Sequence, residues 1–153
     1  MDQNNVLIKQ MPMSLEAEQA VLGSIIIKPS TFDTIAGMLS ANDFYIEDHK
    51  RIYSTLLTMY GESKIIDTVT LVNSISDQNG KDKESTIQYI TLLAESVPSV
   101  ANVKDYAQIV KDKSILREII DVCDDINNDA YAEESPVRTI IDSAQQKMFD
   151  IAN

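Results

Sequence analysis

Residues 99–153, SVANVKDYAQIVKDKSILREIIDVCDDINNDAYAEESPVRTIIDSAQQKMFDIAN, decide the fold of this chain. Apolar side chains recur here at intervals of three and four, which is the spacing of one helix face. A first stripe comprises Tyr106, Ile109, Val110, Leu116, Ile119, Ile120, Cys123, Ile126 and Ala130, and a second comprises Val137, Ile140, Ile141, Ala144, Met148 and Ile151. Ser135 as N-cap and Pro136 at the first helical position indicate a new helix start between them. The segment is therefore predicted to be a long helical hairpin.

The apolar side chains of this hairpin are the candidate packing residues. Such a hairpin either folds back on its own chain or presents an apolar face to a partner, and the spacing alone favours neither. The residues predicted to pack within and between chains are Ile119, Ile126, Ile140, Ile141, Ala144 and Met148. Replacing Ile141 with Asp should bury an unpaired charge and disrupt pairing or folding.

Composition favours one all-α domain that does not bind polyanions. The chain has 153 residues, 44% of them hydrophobic, and only four glycines and four prolines. Its net charge of −11 should repel phosphate backbones and anionic membranes, so no direct nucleic-acid or membrane binding is expected. The N-terminus lacks the pattern of a secretion signal. The single cysteine, Cys123, is expected to be a buried thiol in a reducing cytoplasm.

The residues before the hairpin are predicted to form a flexible arm (1–13) and a compact head (14–98) of about five helices. Ser14 should cap the first helix, and Pro29 should end it. Gly23 inside that helix indicates that another backbone passes close by. Further helices are expected over residues 30–39, over 48–60 with Gly61 as C-cap, after the cap Asp67, and from Ile87 to Pro98. The polar run 77–84 is the best candidate for a mobile loop.

The sequence contains no pattern that indicates catalysis. It has neither a GxxxxGK[ST] nor a GxGxxG motif, and His49 is its one histidine. We therefore predict no catalytic, cofactor-binding or metal-binding residue. Acidic residues crowd the hairpin bend, where a calcium-loop reading fails because Ala130 replaces the needed glycine. A solvated face or a docking surface for a basic partner remains, comprising Asp124, Asp125, Asp129, Glu133 and Glu134.

Several short segments of the chain form one ordered pattern. The two most specific segments are Ser14-Leu15-Glu16-Ala17-Glu18-Gln19-Ala20-Val21-Leu22-Gly23 and Val97-Pro98-Ser99 followed by Asn102 and Tyr106-Ala107-Gln108-Ile109-Val110. Between and after them lie Asp43-Phe44-Tyr45, His49-Lys50-Arg51-Ile52-Tyr53, Ile66-Asp67-Thr68-Val69-Thr70-Leu71, Tyr89-Ile90, Leu93-Ala94 and Arg117. In this order the segments resemble one family, the N-terminal domain of the bacterial DnaB-type replicative DNA helicase, and the resemblance covers about residues 12–150. One departure is that Ser85-Thr86-Ile87-Gln88 stand where family members often carry a Gly-Gly pair, which leaves the local turn undefined.

This resemblance implies a non-catalytic domain that pairs through its hairpin, builds the collar of a hexameric helicase, and recruits the C-terminal region of primase and, in some bacteria, a helicase loader. ATP and Mg²⁺ are expected only for a motor domain beyond this chain, which we expect to be a piece of a longer protein. An alternative is a free-standing adaptor or inhibitor with the same fold that binds helicase or primase. A third hypothesis is a carboxylate metal hydrolase built on the acidic helix face.

Overall fold

The computed structural model describes residues 10–79 and 82–153, without the side chains of residues 76–79. These residues form seven α-helices and no strand, which confirms the predicted all-α class with a helical head and a terminal hairpin. The helices are α1 (Leu15–Ile27), α2 (Phe32–Ile35), α3 (Glu47–Gly61), α4 (Thr68–Asn79), α5 (Lys83–Glu95), α6 (Val103–Ala132) and α7 (Val137–Ala152). Short 3₁₀ turns lie at Pro29–Thr31, Ala41–Asp43 and Val100–Asn102.

The chain divides into two compact units. The first, which we call the head, comprises residues 13–112, and the second, which we call the hairpin, comprises 113–153 with residues 10–12. Val103, Ala107 and Val110, in the first turns of α6, belong to the hydrophobic core of the head. The division that the sequence predicts, between residues 98 and 99, stays a prediction.

The head has a closed apolar core built from α1 to α5 and the start of α6. Tyr53 lies at its centre, with its ring centroid 5.6 Å from that of Phe32 and 4.9 Å from that of Phe44. The Tyr53 hydroxyl donates a hydrogen bond of 2.8 Å to the carbonyl oxygen of Leu39. Burial, reinforced by the nearby Asp43 carboxylate, raises the pKa of Tyr53 to about 12.

Helix α1 begins and packs as its sequence predicts. The Ser14 hydroxyl accepts a hydrogen bond of 3.2 Å from the Ala17 amide, which confirms the predicted N-cap. A Cβ atom added at Gly23 would lie 2.1 Å from the carbonyl oxygen of Leu93 and 2.6 Å from a Val97 methyl group. The close approach of a second backbone is thus confirmed, because only glycine lets α1 pack this tightly on α5.

Other boundaries differ from the predictions in instructive ways. The predicted helix over residues 30–39 is a 3₁₀ turn followed by one turn of α-helix. It ends early because the chain turns at Ser40, whose amide donates a hydrogen bond of 2.8 Å to Asp43 Oδ2. Gly61 is the last residue of α3 rather than its cap, and Ser63 adopts the left-handed conformation with φ 56°. Asp67 caps α4 as predicted, accepting from the Thr70 amide at 2.9 Å.

The predicted loop over residues 77–84 is more helical than its polar composition suggests. Helix α4 continues to Asn79 and α5 begins at Lys83, so most of the predicted loop over residues 77–84 is helical. Residues 85–88, which replace the family's glycine pair, lie inside α5. Gly80 and Lys81, in the middle of the predicted mobile loop, lie outside the described residues, as does most of the predicted N-terminal arm.

Candidate functional site: the outer face and bend of the hairpin

Helices α6 and α7 of the hairpin each turn a partly buried face inward. In α6, beyond the head, the partly buried apolar side chains recur at intervals of four, three and four: Ile115, Ile119, Val122 and Ile126. In α7 the partly buried side chains include Ile140, Ala144 and Ile151. An ion pair of 3.5 Å between Lys147 Nζ and Asp129 Oδ2 joins the two helices. We call these two matched faces the inner seam of the hairpin.

A second apolar stripe on the same two helices faces solvent. Leu116 is 45% exposed and Ile120 36%, and Cys123 follows on the same side of α6. On α7, Ile141 is 43% exposed and Met148 40%. We call these five side chains the outer stripe. Rows of exposed large apolar side chains on a soluble protein mark interaction surfaces.

The six predicted packing residues therefore divide between two faces. Ile119, Ile126, Ile140 and Ala144 belong to the inner seam, whereas Ile141 and Met148 belong to the outer stripe. An aspartate at position 141 would be partly solvated in a single chain, so the expectation that it buries an unpaired charge does not hold for the monomer.

Three residues of the outer stripe were not singled out as sites from the sequence. Leu116 and Ile120 each directly follow an inner-seam residue in the sequence, and only the packed structure shows that the two sets of side chains lie on different faces of α6. The prediction that Cys123 is buried is wrong, since its side chain is exposed. The reason is that an apolar stripe covering two faces of α6 is wider than a single neighbouring helix can bury.

The bend between α6 and α7 is acidic and fully exposed. Asp124, Asp125, Glu133 and Glu134 form no ion pair with any residue that the structure describes, whereas Asp129 is engaged by Lys147. Glu133 has φ 51°, a left-handed backbone conformation that residues other than glycine rarely adopt. Pro136, with ψ 144°, occupies the N-cap of α7, so the prediction that Ser135 caps this helix is off by one residue.

A buried polar network in the head was not predicted. Glu18 is 1% exposed and accepts hydrogen bonds from the amide of Tyr45 at 2.8 Å and from His49 Nδ1 at 2.7 Å. On its other side, His49 Nε2 accepts from the Tyr89 hydroxyl at 2.5 Å, and that oxygen accepts from Gln19 Nε2 at 3.4 Å. Since Glu18 occupies the first turn of α1, the sequence pointed only to a favourable interaction with the helix dipole.

This network joins three helices of the head through side-chain hydrogen bonds. Burial, together with the carboxylates of Asp48 and Glu18, raises the pKa of Tyr89, and the hydrogen bond from Gln19 opposes that rise. The phenol therefore stays protonated and can donate to His49. Each ring nitrogen of His49 has a protein partner, so the network ties α1, α3 and α5 together. Within the described residues, no group of three or more His, Cys, Asp or Glu side chains is placed to hold a metal ion. No helix among them is long and apolar enough to cross a membrane.

Comparison with known proteins gives consistent matches. Residues 10–112 match the family described as the DnaB-like helicase N-terminal domain. The chain is 37% identical over 142 residues to the replicative DNA helicase DnaB of Pasteurella multocida, covering 92% of this chain and 30% of that protein. It is 35% identical over 141 residues to the replicative DNA helicase DnaC of Bacillus subtilis, covering 92% and 31%. The chain thus spans about a third of the length of these relatives.

Two solved structures share the fold. The crystal structure of the N-terminal domain of DnaB helicase from Mycobacterium tuberculosis superposes with a TM-score of 0.83 at 30% identity, covering 92% of this chain and 99% of that one. The structure of a DnaB-like replicative helicase, described together with its interactions with primase, superposes with a TM-score of 0.69 at 26% identity, covering 90% and 31%.

Proposed function

Since the chain belongs to the DnaB-like helicase N-terminal domain family, we propose that it is a non-catalytic assembly and docking domain of a replicative DNA helicase. Two copies pair through their hairpins, the pairs build the collar of a hexamer, and the collar recruits primase and a helicase loader during DNA replication in the cytoplasm. The observation that carries the pairing step is the outer stripe, which runs along both helices of the hairpin. ATP and Mg²⁺ would be bound by a motor domain in the full-length protein.

The outer stripe supports pairing because its burial would be favourable and no described part of the chain covers it. Removing apolar surface from water contributes about 25 cal/mol per Å². The inner seam already holds α6 against α7, so a second copy would meet a preformed surface and little ordering entropy would oppose association. Such a surface favours a specific dimer over a loose aggregate.

Charge opposes this pairing and predicts how it responds to salt. Residues 113–153 carry nine acidic and four basic side chains. Two hairpins therefore repel each other at low ionic strength, and salt screens that repulsion. Association between copies should strengthen as salt rises, whereas docking of a basic partner at the acidic bend should weaken.

The pairing step can be tested with the protein's one cysteine. Because Cys123 lies on the outer stripe, a short bismaleimide should link two copies when the hairpins pair. Sedimentation equilibrium should show a dimer for the unmodified chain and a monomer for Ile141→Asp. The matched control is Val69→Asp, since Val69 is a 69% exposed apolar side chain on the head. A chain that stays monomeric at high concentration and high salt, with no cross-link, would contradict pairing of this domain.

Recruitment of primase is tested separately. The relative described with its interactions with primase supports this part of the proposal. We expect the C-terminal region of primase to bind this domain and to bind less tightly at higher ionic strength, if the acidic bend takes part. Titration at two salt concentrations measures both effects. Binding that does not change with salt would contradict the role of the bend while leaving recruitment intact.

A further inference from the structure

The bend of the hairpin carries the two most exposed large apolar side chains of the hairpin. Tyr131 is 82% exposed and Val137 is 73% exposed. They flank the turn, since Tyr131 lies in the last turn of α6 and Val137 is the first residue of α7. The left-handed Glu133 and the ring of Pro136 restrict the backbone between them. The two side chains therefore belong to the two ends of a turn with few accessible conformations.

The sequence on either side of these two residues is rich in carboxylates and poor in cations. The sequence has no Lys or Arg between Arg117 and Arg138, and Arg138 pairs with Asp142 at 3.5 Å. Asp129 is the one acidic residue of the bend with an ion-pair partner in the described structure. An exposed tyrosine and valine next to negatively charged side chains are complementary to a partner that offers apolar and cationic side chains together.

We propose that the bend docks a basic segment of another protein, with Tyr131 and Val137 as the apolar anchors of the contact and Glu133 and Glu134 as its electrostatic rim. This inference deepens the docking part of the proposed function and rests on it. It also assigns a use to the bend that differs from that of the outer stripe, although both lie on the same hairpin.

A second copy of this chain fits the bend poorly. Residues 13–112 carry fourteen acidic and eight basic side chains, and residues 113–153 carry nine and four. Either part of a second copy would bring more negative charge to the bend, which costs free energy. The same sign argues against nucleic acid and anionic lipid. A positively charged protein segment is the occupant that charge complementarity selects.

The test uses two dye-labelled peptides of equal positive charge, both made of lysine and alanine, one with a central tryptophan and the other with serine there. Fluorescence anisotropy gives the dissociation constant of each peptide for the unmodified chain, Tyr131→Ser, Val137→Ser and Ile65→Ser. Ile65 is the matched control, because it is 77% exposed but lies on the head. We expect Tyr131→Ser to weaken binding of the tryptophan peptide about tenfold. It should leave the serine peptide unaffected, and Ile65→Ser should change neither.

Equal binding of the tryptophan peptide to Tyr131→Ser and to the unmodified chain would overturn the proposal, because the bend would then be only an acidic surface. Loss of self-association in Tyr131→Ser, with peptide binding retained, would also overturn it by assigning the bend to pairing. The titration is repeated in the Ile141→Asp background. Binding that still depends on Tyr131 there supports the proposal even if pairing of the unmodified chain has failed its own test.

Discussion

The head and the hairpin use their apolar residues differently. In the head, α1, α3, α4 and α5 bury their apolar faces in one core, and even the polar Glu18 and His49 are enclosed and hydrogen-bonded. In the hairpin, two helices have two apolar faces each and partly bury only one of them. The head also exposes apolar side chains, such as Ile65 and Val69, but the exposed apolar side chains of the outer stripe follow one side of α6 and one side of α7. A row of exposed apolar side chains marks an interaction surface, whereas scattered ones are normal on any protein surface.

This difference implies that substitutions in the head should lower stability and that substitutions on the outer stripe should lower association.

The largest effect is expected for Glu18→Ala. The substitution removes the acceptor of the fully buried His49 Nδ1 and of the Tyr45 amide, so we expect a loss of about 4 kcal/mol in the free energy of unfolding. Urea denaturation followed by circular dichroism measures it. Glu16→Ala is the matched control, an exposed glutamate two residues earlier in α1, and should change stability by less than about 0.5 kcal/mol. Equal effects of the two substitutions would refute the role of the buried network.

The second prediction concerns high pH. Because burial raises the pKa of Tyr53 from 10.0 to about 12, the folded head binds this proton more tightly than the unfolded chain does. The resulting stabilisation, about 3 kcal/mol, is fully present below pH 10 and is lost as the pH rises through 12.

Denaturation with urea at several pH values, for the unmodified chain and for Tyr53→Phe, isolates this contribution. The phenylalanine variant should be less stable at neutral pH, because the carbonyl oxygen of Leu39 loses its donor, and should lose less stability on going from pH 9 to pH 12. Parallel pH profiles for the two proteins would show that Tyr53 is not the group responsible.

Two adjacent isoleucines give the sharpest contrast within the hairpin. Ile140 lies in the inner seam and Ile141 in the outer stripe. Ile140→Ala should lower the stability of α7 by about 1 to 2 kcal/mol, which is less than for a fully buried site, as measured by amide hydrogen exchange. Ile141→Ala should leave exchange in the monomer unchanged and weaken association. If the two substitutions gave the same pattern, the assignment of inner and outer faces would be wrong.

The smallest effect is a gain. Glu133→Gly should stabilise the bend by about 0.5 kcal/mol, because glycine tolerates a φ of 51° and because a negative charge at the C-terminal end of α6 is removed. Glu134→Gly removes the same charge from the next position, which lacks a left-handed φ, and is the control. Slower hydrogen exchange in the last turn of α6 for Glu133→Gly alone would support this account, and equal exchange in both variants would contradict it.

Local sequence signals predicted the elements well where a single residue determines the backbone. Ser14 and Asp67 cap their helices through their own side chains, and Gly23 marks the contact between α1 and α5. The signals failed at the polar segment after Ile75, where α4 continues although the composition predicts a loop. They also failed at the start of α7, where Pro136 rather than Ser135 occupies the N-cap.

The candidate site was predicted only in part. Periodicity identified Ile119, Ile126, Ile140, Ile141, Ala144 and Met148 as apolar hairpin positions, and charge identified the acidic bend. Neither periodicity nor charge could identify Glu18, whose partners Tyr45 and His49 lie 27 and 31 residues away along the chain. Hydrogen bonds over such separations leave no local pattern in the sequence.

The helical class, the hairpin and the family can be predicted from the chain alone, because each follows from spacing, caps and ordered motifs along it. Which apolar stripe of the hairpin is used inside the chain and which is left to solvent depends on how the helices pack. A helix with apolar residues on more than one face has no preferred inward side until a neighbour packs against it. The packing of α7 on α6 placed Ile140 inside and Ile141 outside.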